Sequence, residues 1–357
     1  MSILTKYILQ KYITNFIIVL ISLELFFVGI DFLQNFKDLP NSANLQFLYI
    51  LYNSFFTLTL TLPLSLVFAW VITLVVLIKN NELVAFLSLG VKTSSIYLPS
   101  IIISFILLIV LIVLQATPLA YSYEKKSNIA KGKYFVNSKT DIFLKYNEFF
   151  VYIKKLYPLE TRAENVHIYK IKDDNILESI VARKAYFQNN RWYLVDAKIM
   201  KKPVNIEWDK SKLIITNEKF LYTLEGFKPK ILDNVYDSKS NYSIVDAIYA
   251  LALLSEQNVN TNKIRSSLYY QIFASFFIIP MLILIYKSAA INSRFFNIGK
   301  FSSFSIFGTL VVWGVFFMLH KLSNGGVVIP EIAILVPIVL WYLFVFIIVK
   351  KTEYNNL

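Results

Sequence analysis

Apolar runs of membrane length occupy both ends of this 357-residue chain, and one polar stretch separates them. Six runs, near 13–33, 55–78, 99–118, 266–286, 301–319 and 330–349, reach the roughly 20 residues that a helix needs to cross a bilayer core. The pattern predicts three spans, an inserted domain and three more spans. The first run carries Glu24 and no small-x-small cleavage site follows it, so it reads as a signal anchor and not as a cleaved signal peptide. Pro99 and Pro118 bracket the third run. Pro63, Pro280 and Pro337 fall inside runs, where they predict kinks that neighbouring helices re-satisfy.

Between the two groups the period changes. The segments 149–153, 165–171, 178–187, 191–199, 204–208 and 211–224 are short and rich in β-branched and aromatic residues. Turn clusters such as Lys172-Asp173-Asp174-Asn175 and Gln188-Asn189-Asn190 separate them. Short strands at this spacing predict a β-sandwich or an open barrel. From Ser243 to Glu256 the spacing turns helical, as a lead-in to the fourth span. The expected organisation is residues 1–118 with spans one to three, a β domain over 119–262, and residues 263–357 with spans four to six.

Composition agrees with this division. The chain is 56% hydrophobic and 17% charged, against about 25% charged in soluble domains. Residues 119 to 262 hold 23 of the 36 Lys and Arg and 17 of the 23 Asp and Glu. The net charge of +13 therefore splits into +6 on that segment and +7 elsewhere, mostly at helix ends. That distribution fits anionic lipid head groups and excludes a nucleic-acid partner. With the N-terminus inside, the inside loops carry Lys6, Lys11, Lys79, Lys92, Lys287, Arg294, Lys300, Lys350 and Lys351, and the short outside loops only Lys37 and Lys321. Lys125, Lys126, Lys263 and Arg265 flank the inserted domain and oppose this assignment, but long domains translocate largely regardless of charge. The β domain is expected outside.

Enzyme chemistry finds little to stand on. Two histidines, His167 and His320, with no cysteine make a metal site improbable and exclude disulfides. No G-x-S-x-G occurs, and Gly299-Lys300 lacks the upstream glycine of a phosphate-cradling loop, so the chain is not expected to bind or hydrolyse ATP itself and no cofactor is expected. Asn241-Tyr242-Ser243 matches a glycosylation sequon, an unremarkable coincidence at this length. Glu24, in the middle of the first span, is either a polar contact with a partner helix or substrate path, or a locally hydrogen-bonded carboxyl without a role. Asp31, near the outer end, is either part of such a path or a solvated interfacial residue.

The most informative segment is 80–92. Asn80 or Asn81 is placed to cap a helix, Glu82 then lies in its first turn, and Leu83, Phe86, Leu87 and Gly90 fall on one face at i, i+3, i+4 and i+7. This is a short amphipathic helix between two spans. It either rests in the head-group layer or docks a cytoplasmic partner.

Through this segment the chain resembles the lipopolysaccharide export permeases LptF/LptG (YjgP/YjgQ), and more the LptG side. The marker is Asn81-Glu82-Leu83-Val84 with Gly90 following. Asn147-Glu148-Phe149-Phe150-Val151-Tyr152-Ile153 and Arg191-Trp192-Tyr193-Leu194 add to it. The resemblance covers essentially the whole chain. It implies a periplasmic β-jellyroll between two sets of three helices in the bacterial inner membrane, and a subunit of an ABC-type exporter that passes lipopolysaccharide to a periplasmic bridge. The implied partners are an LptB-like ATPase dimer docking on Glu82, Leu83, Phe86, Leu87 and Gly90, a second permease of the same family, and a periplasmic LptA/LptC-like jellyroll protein. The implied gate lies between the first and fifth spans, where Ser305, Gly308, Thr309 and Gly314 permit close packing. One departure concerns the basic residues that the LptG pattern places at the outer half of the first span to contact substrate phosphates. Here Val28, Gly29 and Ile30 precede Asp31, so either Lys37 serves or the head-group contacts differ.

Exposing one 12-carbon acyl chain to water costs on the order of 10 kcal/mol, so the β domain of such an exporter must offer a continuous apolar slot. Either Phe150 with Tyr152, or Phe149 with Val151 and Ile153, is placed to line it. The rival classes are a mechanical transducer that moves an external domain without carrying lipid, and a membrane-embedded transferase or hydrolase. The dispersion of Glu24, Asp31, Asp38, Glu82, Glu331 and Glu353 argues against the latter.

Overall fold

The computed structural model describes residues 3–132, 139–146, 148–158, 160–172, 175–203, 213–227, 229, 242–254, 260–289 and 296–354. They form two compact units, one of residues 1–132, 242–245 and 262–357, the other of residues 133–241 and 246–261. The expected strand at 204–208 lies outside the described residues. So do Asn147, Asp173 and Asp174, Asn241 of the sequon, Arg294, and the ends of two predicted segments at 211–212 and 255–256.

The first unit is helical. Its elements are α1 (Ile3–Asn35), α2 (Ala43–Lys79), α3 (Glu82–Ser88), α4 (Thr93–Ala116) and α5 (Ser122–Ala130). After the β segment comes α6 (Ile244–Leu254), which from residue 246 belongs to the second unit, and then, in the first, α7 (Asn262–Phe273), α8 (Ile278–Ser288), α9 (Ile298–Asn324) and α10 (Val336–Tyr354). Among the described residues, six stretches are long and apolar enough to cross a membrane: Ile3–Asp38, Ala43–Lys79, Thr93–Ala116, Asn262–Ser288, Ile298–Asn324 and Glu331–Lys351. Several are longer than the apolar runs, because helical hydrogen bonding continues into polar ends that hydropathy does not count. The third span begins at Thr93, so Pro99 lies inside α4 and does not bracket it. The α5 helix has no counterpart in the hydropathy pattern.

The proline positions explain the breaks. Pro280 cannot donate to the carbonyl four residues back, and a 3₁₀ turn over Ala274–Phe277 precedes it between α7 and α8. Pro280 takes the backbone donor from Phe276 O, which instead accepts from Tyr342 Oη of α10 at 3.0 Å, and beside it Trp341 Nε1 donates to Phe277 O at 3.1 Å. Pro337 is likewise preceded by a π turn, Glu331–Leu335. These are the neighbour contacts that make a broken helix tolerable in an apolar bundle.

The α2 helix is the pillar: 78% of its most apolar window is buried, against 6% for α1. A small or short polar side chain recurs along it at every fourth residue, Asn53, Thr57, Thr61, Ser65, Ala69 and Thr73, all buried. Trp70 ties it to α8 by donating Nε1 to Leu282 O at 3.1 Å.

The second unit holds one antiparallel sheet with strands in sequence order, β1 (Lys139–Tyr146), β2 (Phe149–Tyr157), β3 (Arg162–Lys172), β4 (Asn175–Gln188), β5 (Arg191–Lys201) and β6 (Ile214–Thr223). Among the described residues the topology is a meander. The β1 strand is absent from the predicted set, because Lys139, Asp141 and Lys145 break its apolar signal. The β4–β5 turn places Asn189 and Asn190 at φ 50° and 63°, the left-handed pair that a two-residue hairpin requires. Register assigns the faces. Val151, Ile153, Val166, Ile168, Ala182 and Leu194 enter a buried core, while Phe150 and Tyr152 lie on the opposite face beside Tyr169 and His167. Trp192 closes the core, donating Nε1 to Phe227 O at 2.6 Å.

Candidate functional site: the α3 helix and the polar seam of α1

The α3 helix is short and sharply delimited. Asn81 stands at its N-cap position with φ 55°, so the chain reverses between α2 and α3 through a left-handed residue, without a side-chain cap. At the other end Val91 N donates to Phe86 O at 3.1 Å and Gly90 N to Leu87 O at 3.0 Å, with Gly90 at φ 77°. This pair of bonds is the Schellman closure, and it gives Gly90 a conformational reason to be glycine.

The apolar face of α3 turns toward the chain's own bundle. Leu83 is 2% exposed, and Phe86 and Leu87 pack against the helical core, with Phe86 edge-on to Tyr7 of α1 at 6.5 Å. The outward positions are Ala85, Ser88 and Leu89, and Leu89 is 80% exposed. Periodicity finds an amphipathic face but not the body that covers it.

Glu82 does not stand free. Lys11 Nζ donates to both of its oxygens at 2.7 and 2.8 Å, Tyr7 Oη to one at 2.9 Å, and Asn80 Nδ2 to the other at 3.1 Å. Burial alone would raise its pKa. The hydrogen bonds from Lys11, Asn80 and Tyr7 and the Lys11 charge outweigh that and hold the carboxyl below the ordinary glutamate value. It is a carboxylate that joins α3 to the start of α1.

From there a polar seam runs along α1 and α2. Tyr12 Oη donates to Leu66 O at 3.0 Å and lies 2.7 Å from Ser104 Oγ of α4. Asn15 Nδ2 donates to Thr73 Oγ1 at 2.9 Å. Farther along, Thr61 Oγ1 donates to Glu24 Oε1, while Glu24 Oε2 is buried with no hydrogen-bond partner among the described residues. At the end Tyr49 Oη donates to Asp31 Oδ1 at 2.5 Å, and Lys126 Nζ of α5 donates to Asp31 Oδ2 and to Asn53 Oδ1, both at 2.7 Å. Lys126 is 7% exposed, and the rings of Tyr49, Phe56 and Tyr123 stand 5.8, 5.2 and 5.7 Å from its ammonium.

The remaining predicted residues are placed elsewhere. Lys37 is exposed in a 3₁₀ turn, Phe36–Asp38. In α9, Ser305 and Thr309 are buried, Thr309 Oγ1 donating to Ser305 O at 2.6 Å, and Gly308 faces Met281 at 3.7 Å from where a Cβ would stand. Two clusters are invisible in the sequence. There Lys126 is only a flanking charge, 95 residues from Asp31. The same holds for Arg265, which donates to Glu331 at 2.7 Å and to Asn262 at 2.6 Å. Neither partnership has a local sequence signal.

A family model described as lipopolysaccharide export system permease LptF/LptG matches residues 6–351. The chain belongs to this family. No curated protein matches it. Six membrane-length helices with an inserted antiparallel sheet accord with a multi-pass LptF/LptG permease, and the match spans α1, α3 and the sheet alike, without separating LptF from LptG.

Proposed function

We propose that this LptF/LptG permease is the LptG-like subunit of an ABC-type exporter that extracts lipopolysaccharide from the bacterial inner membrane and hands it to a periplasmic jellyroll bridge of the LptA/LptC kind. ATP is hydrolysed by an LptB-like dimer docked at α3, and a second permease of the family completes the membrane part. The observation that carries this reading is the family match over residues 6–351. The α3 helix supports it: a rigidly capped segment between two spans, with Leu89 projecting outward and Glu82 fixed by Lys11. In this reading the N-terminus and α3 are cytoplasmic, the β unit is periplasmic, and the domains divide near residues 118 and 263. Substrate passes α1 and α9, along Glu24, Asp31, Lys37, Ser305, Gly308 and Thr309.

The test is co-purification with the ATPase and the second permease, comparing wild type with Glu82→Ala and Leu89→Asp. Loss of the ATPase from both variants while the second permease stays bound is the expected result. An intact, fully active complex in both would remove α3 as the docking segment. A wild-type chain that recruits no ATPase would sink the exporter reading and favour a transducer without lipid cargo.

A further inference from the structure

The α1 helix is unusual in how it is held. It runs 33 residues without a proline, about 50 Å of continuous helix at 1.5 Å per residue. Its buried side chains, Ile8, Tyr12 and Phe16, all lie in the N-terminal half. Beyond Phe16, apart from Leu20, which packs partly buried against the core, its attachments are polar: Glu24 to Thr61, and Asp31 to Tyr49 and Lys126. One end therefore grips α3 through Lys11, Tyr7 and Glu82. The other grips α5, the helix after which the chain enters the β unit.

A helix is stiff along its axis, and an element with little apolar burial shifts at lower cost than a buried one. The α2 pillar, mostly buried, has no such freedom. A push on α3 would reach α5 along α1 if the tie at the far end holds. That tie is built to hold. The Lys126 ammonium is withdrawn from solvent, bound by two oxygens at 2.7 Å and enclosed by three aromatic rings, so releasing it from Asp31 would leave a charge in an apolar cage. Buried ion pairs are weak devices for stability and better ones for fixing a unique register between elements.

We propose that α1 is the transmission rod of this permease, carrying motion from the docking helix α3 to α5, and that Asp31 and Lys126 are positioning residues that close its outer joint. The inference rests on the exporter reading for the source of the push. Its own readout, a distance, does not depend on lipid.

The chain has no cysteine, so spin labels can be placed at Lys131→Cys, just after α5, and at Val327→Cys, just after α9. In the full complex with its ATPase and second permease, the distance between them is measured with and without a non-hydrolysable nucleotide. The expected result is a nucleotide-dependent change in the otherwise wild-type chain, its loss in Asp31→Asn and in Lys126→Met, with ATP hydrolysis in Lys126→Met staying near the wild-type rate, and its return in the charge-swapped Asp31→Lys/Lys126→Asp. Lipopolysaccharide released per ATP should fall about ten-fold in the two single variants, toward the upper range for residues that carry coupling. A purely structural role would lower hydrolysis and distance change together, without recovery on swapping. The proposal is overturned if the change persists in both single variants, if it is absent from the otherwise wild-type chain, or if the swap fails to restore it. Should Lys126→Met not fold, Asp31→Asn, which keeps the side chain's size and hydrogen-bonding shape, decides between the same outcomes. A wild-type complex that shows the distance change but releases no lipid would refute the export reading and leave the rod standing.

Discussion

Gly90 holds a left-handed backbone at φ 77° with nothing within 4 Å of where a Cβ would stand. Substitution there meets no clash and acts only through conformation, at about 1–2 kcal/mol for a residue other than glycine. Gly90→Val should therefore fray α3 and weaken ATPase association, while Gly90→Asn, which tolerates that backbone, should lose less; co-purification yield compares them. Glu82 sets a pH dependence. Its folded pKa is depressed, so its ion pair stabilises the protein above the ordinary glutamate value of 4.5 and is lost as pH falls through the depressed value. Melting temperatures of wild type and Glu82→Gln should differ by a constant amount above pH 4.5 and converge as pH falls through the depressed value. Lys126→Met leaves Asp31 without its cation. The expected loss is about 3 kcal/mol, the lower end for a broken buried pair because Asp31 remains 30% exposed, read from chemical unfolding in detergent. None of these pairings is legible in the sequence. Lys11 and Glu82 are 71 positions apart, and charge counting treats each as an isolated residue. What the sequence does carry is the capped amphipathic segment itself, since its signals are all within a few turns of one another.

Among the elements, the broken fourth span shows how one proline is accommodated by a distant helix. Tyr342→Phe removes the donor to Phe276 O and should cost about 1 kcal/mol, the typical loss of one such bond. The same change combined with Pro280→Ala should cost less, because residue 280 would again donate to that carbonyl; unfolding of the two variants in detergent separates them. The spans are readable because twenty consecutive apolar side chains are too many for one face of a soluble helix and match the thickness of a bilayer. Most of the strands are readable because β-branched and aromatic runs end in turn residues. The α5 helix and β1 strand are not. Both are short and charged, and what gives them structure is their neighbours: the Lys126 cage in one case and the β2 register in the other. Periodicity in β2 likewise offers two faces for an apolar slot. The sheet shows Val151 and Ile153 committed to the core, with Phe150 and Tyr152 on the opposite face against Phe143 and His167.

Across the whole molecule, burial falls from 78% of the most apolar window in α2 to 22% in the last span, 17% in α9 and 6% in α1. A permease that worked alone would have no reason to leave three long apolar helices so lightly covered except to face lipid. One that joins a second subunit would commit part of that surface to it. Single cysteines at Ile21 of α1 and Phe307 of α9, both exposed, should cross-link to the proposed second permease, whereas one at buried Leu66 of α2 should not; cross-linking only to lipid-soluble reagents would place the interface elsewhere. The small-residue repeat on α2, from Asn53 through Thr57, Thr61, Ser65 and Ala69 to Thr73, has a consequence for how such a chain drifts under random substitution. Positions on the open side of α1 can exchange one aliphatic side chain for another almost freely, while each site of the repeat admits nothing much larger than threonine. A saturation library selected for growth should therefore return two sharply different tolerance profiles from adjacent helices of almost equal hydropathy, with side-chain volume as the selected variable at Thr57, Ser65 and Ala69, and polarity as well at Asn53, Thr61 and Thr73, which bond Lys126, Glu24 and Asn15.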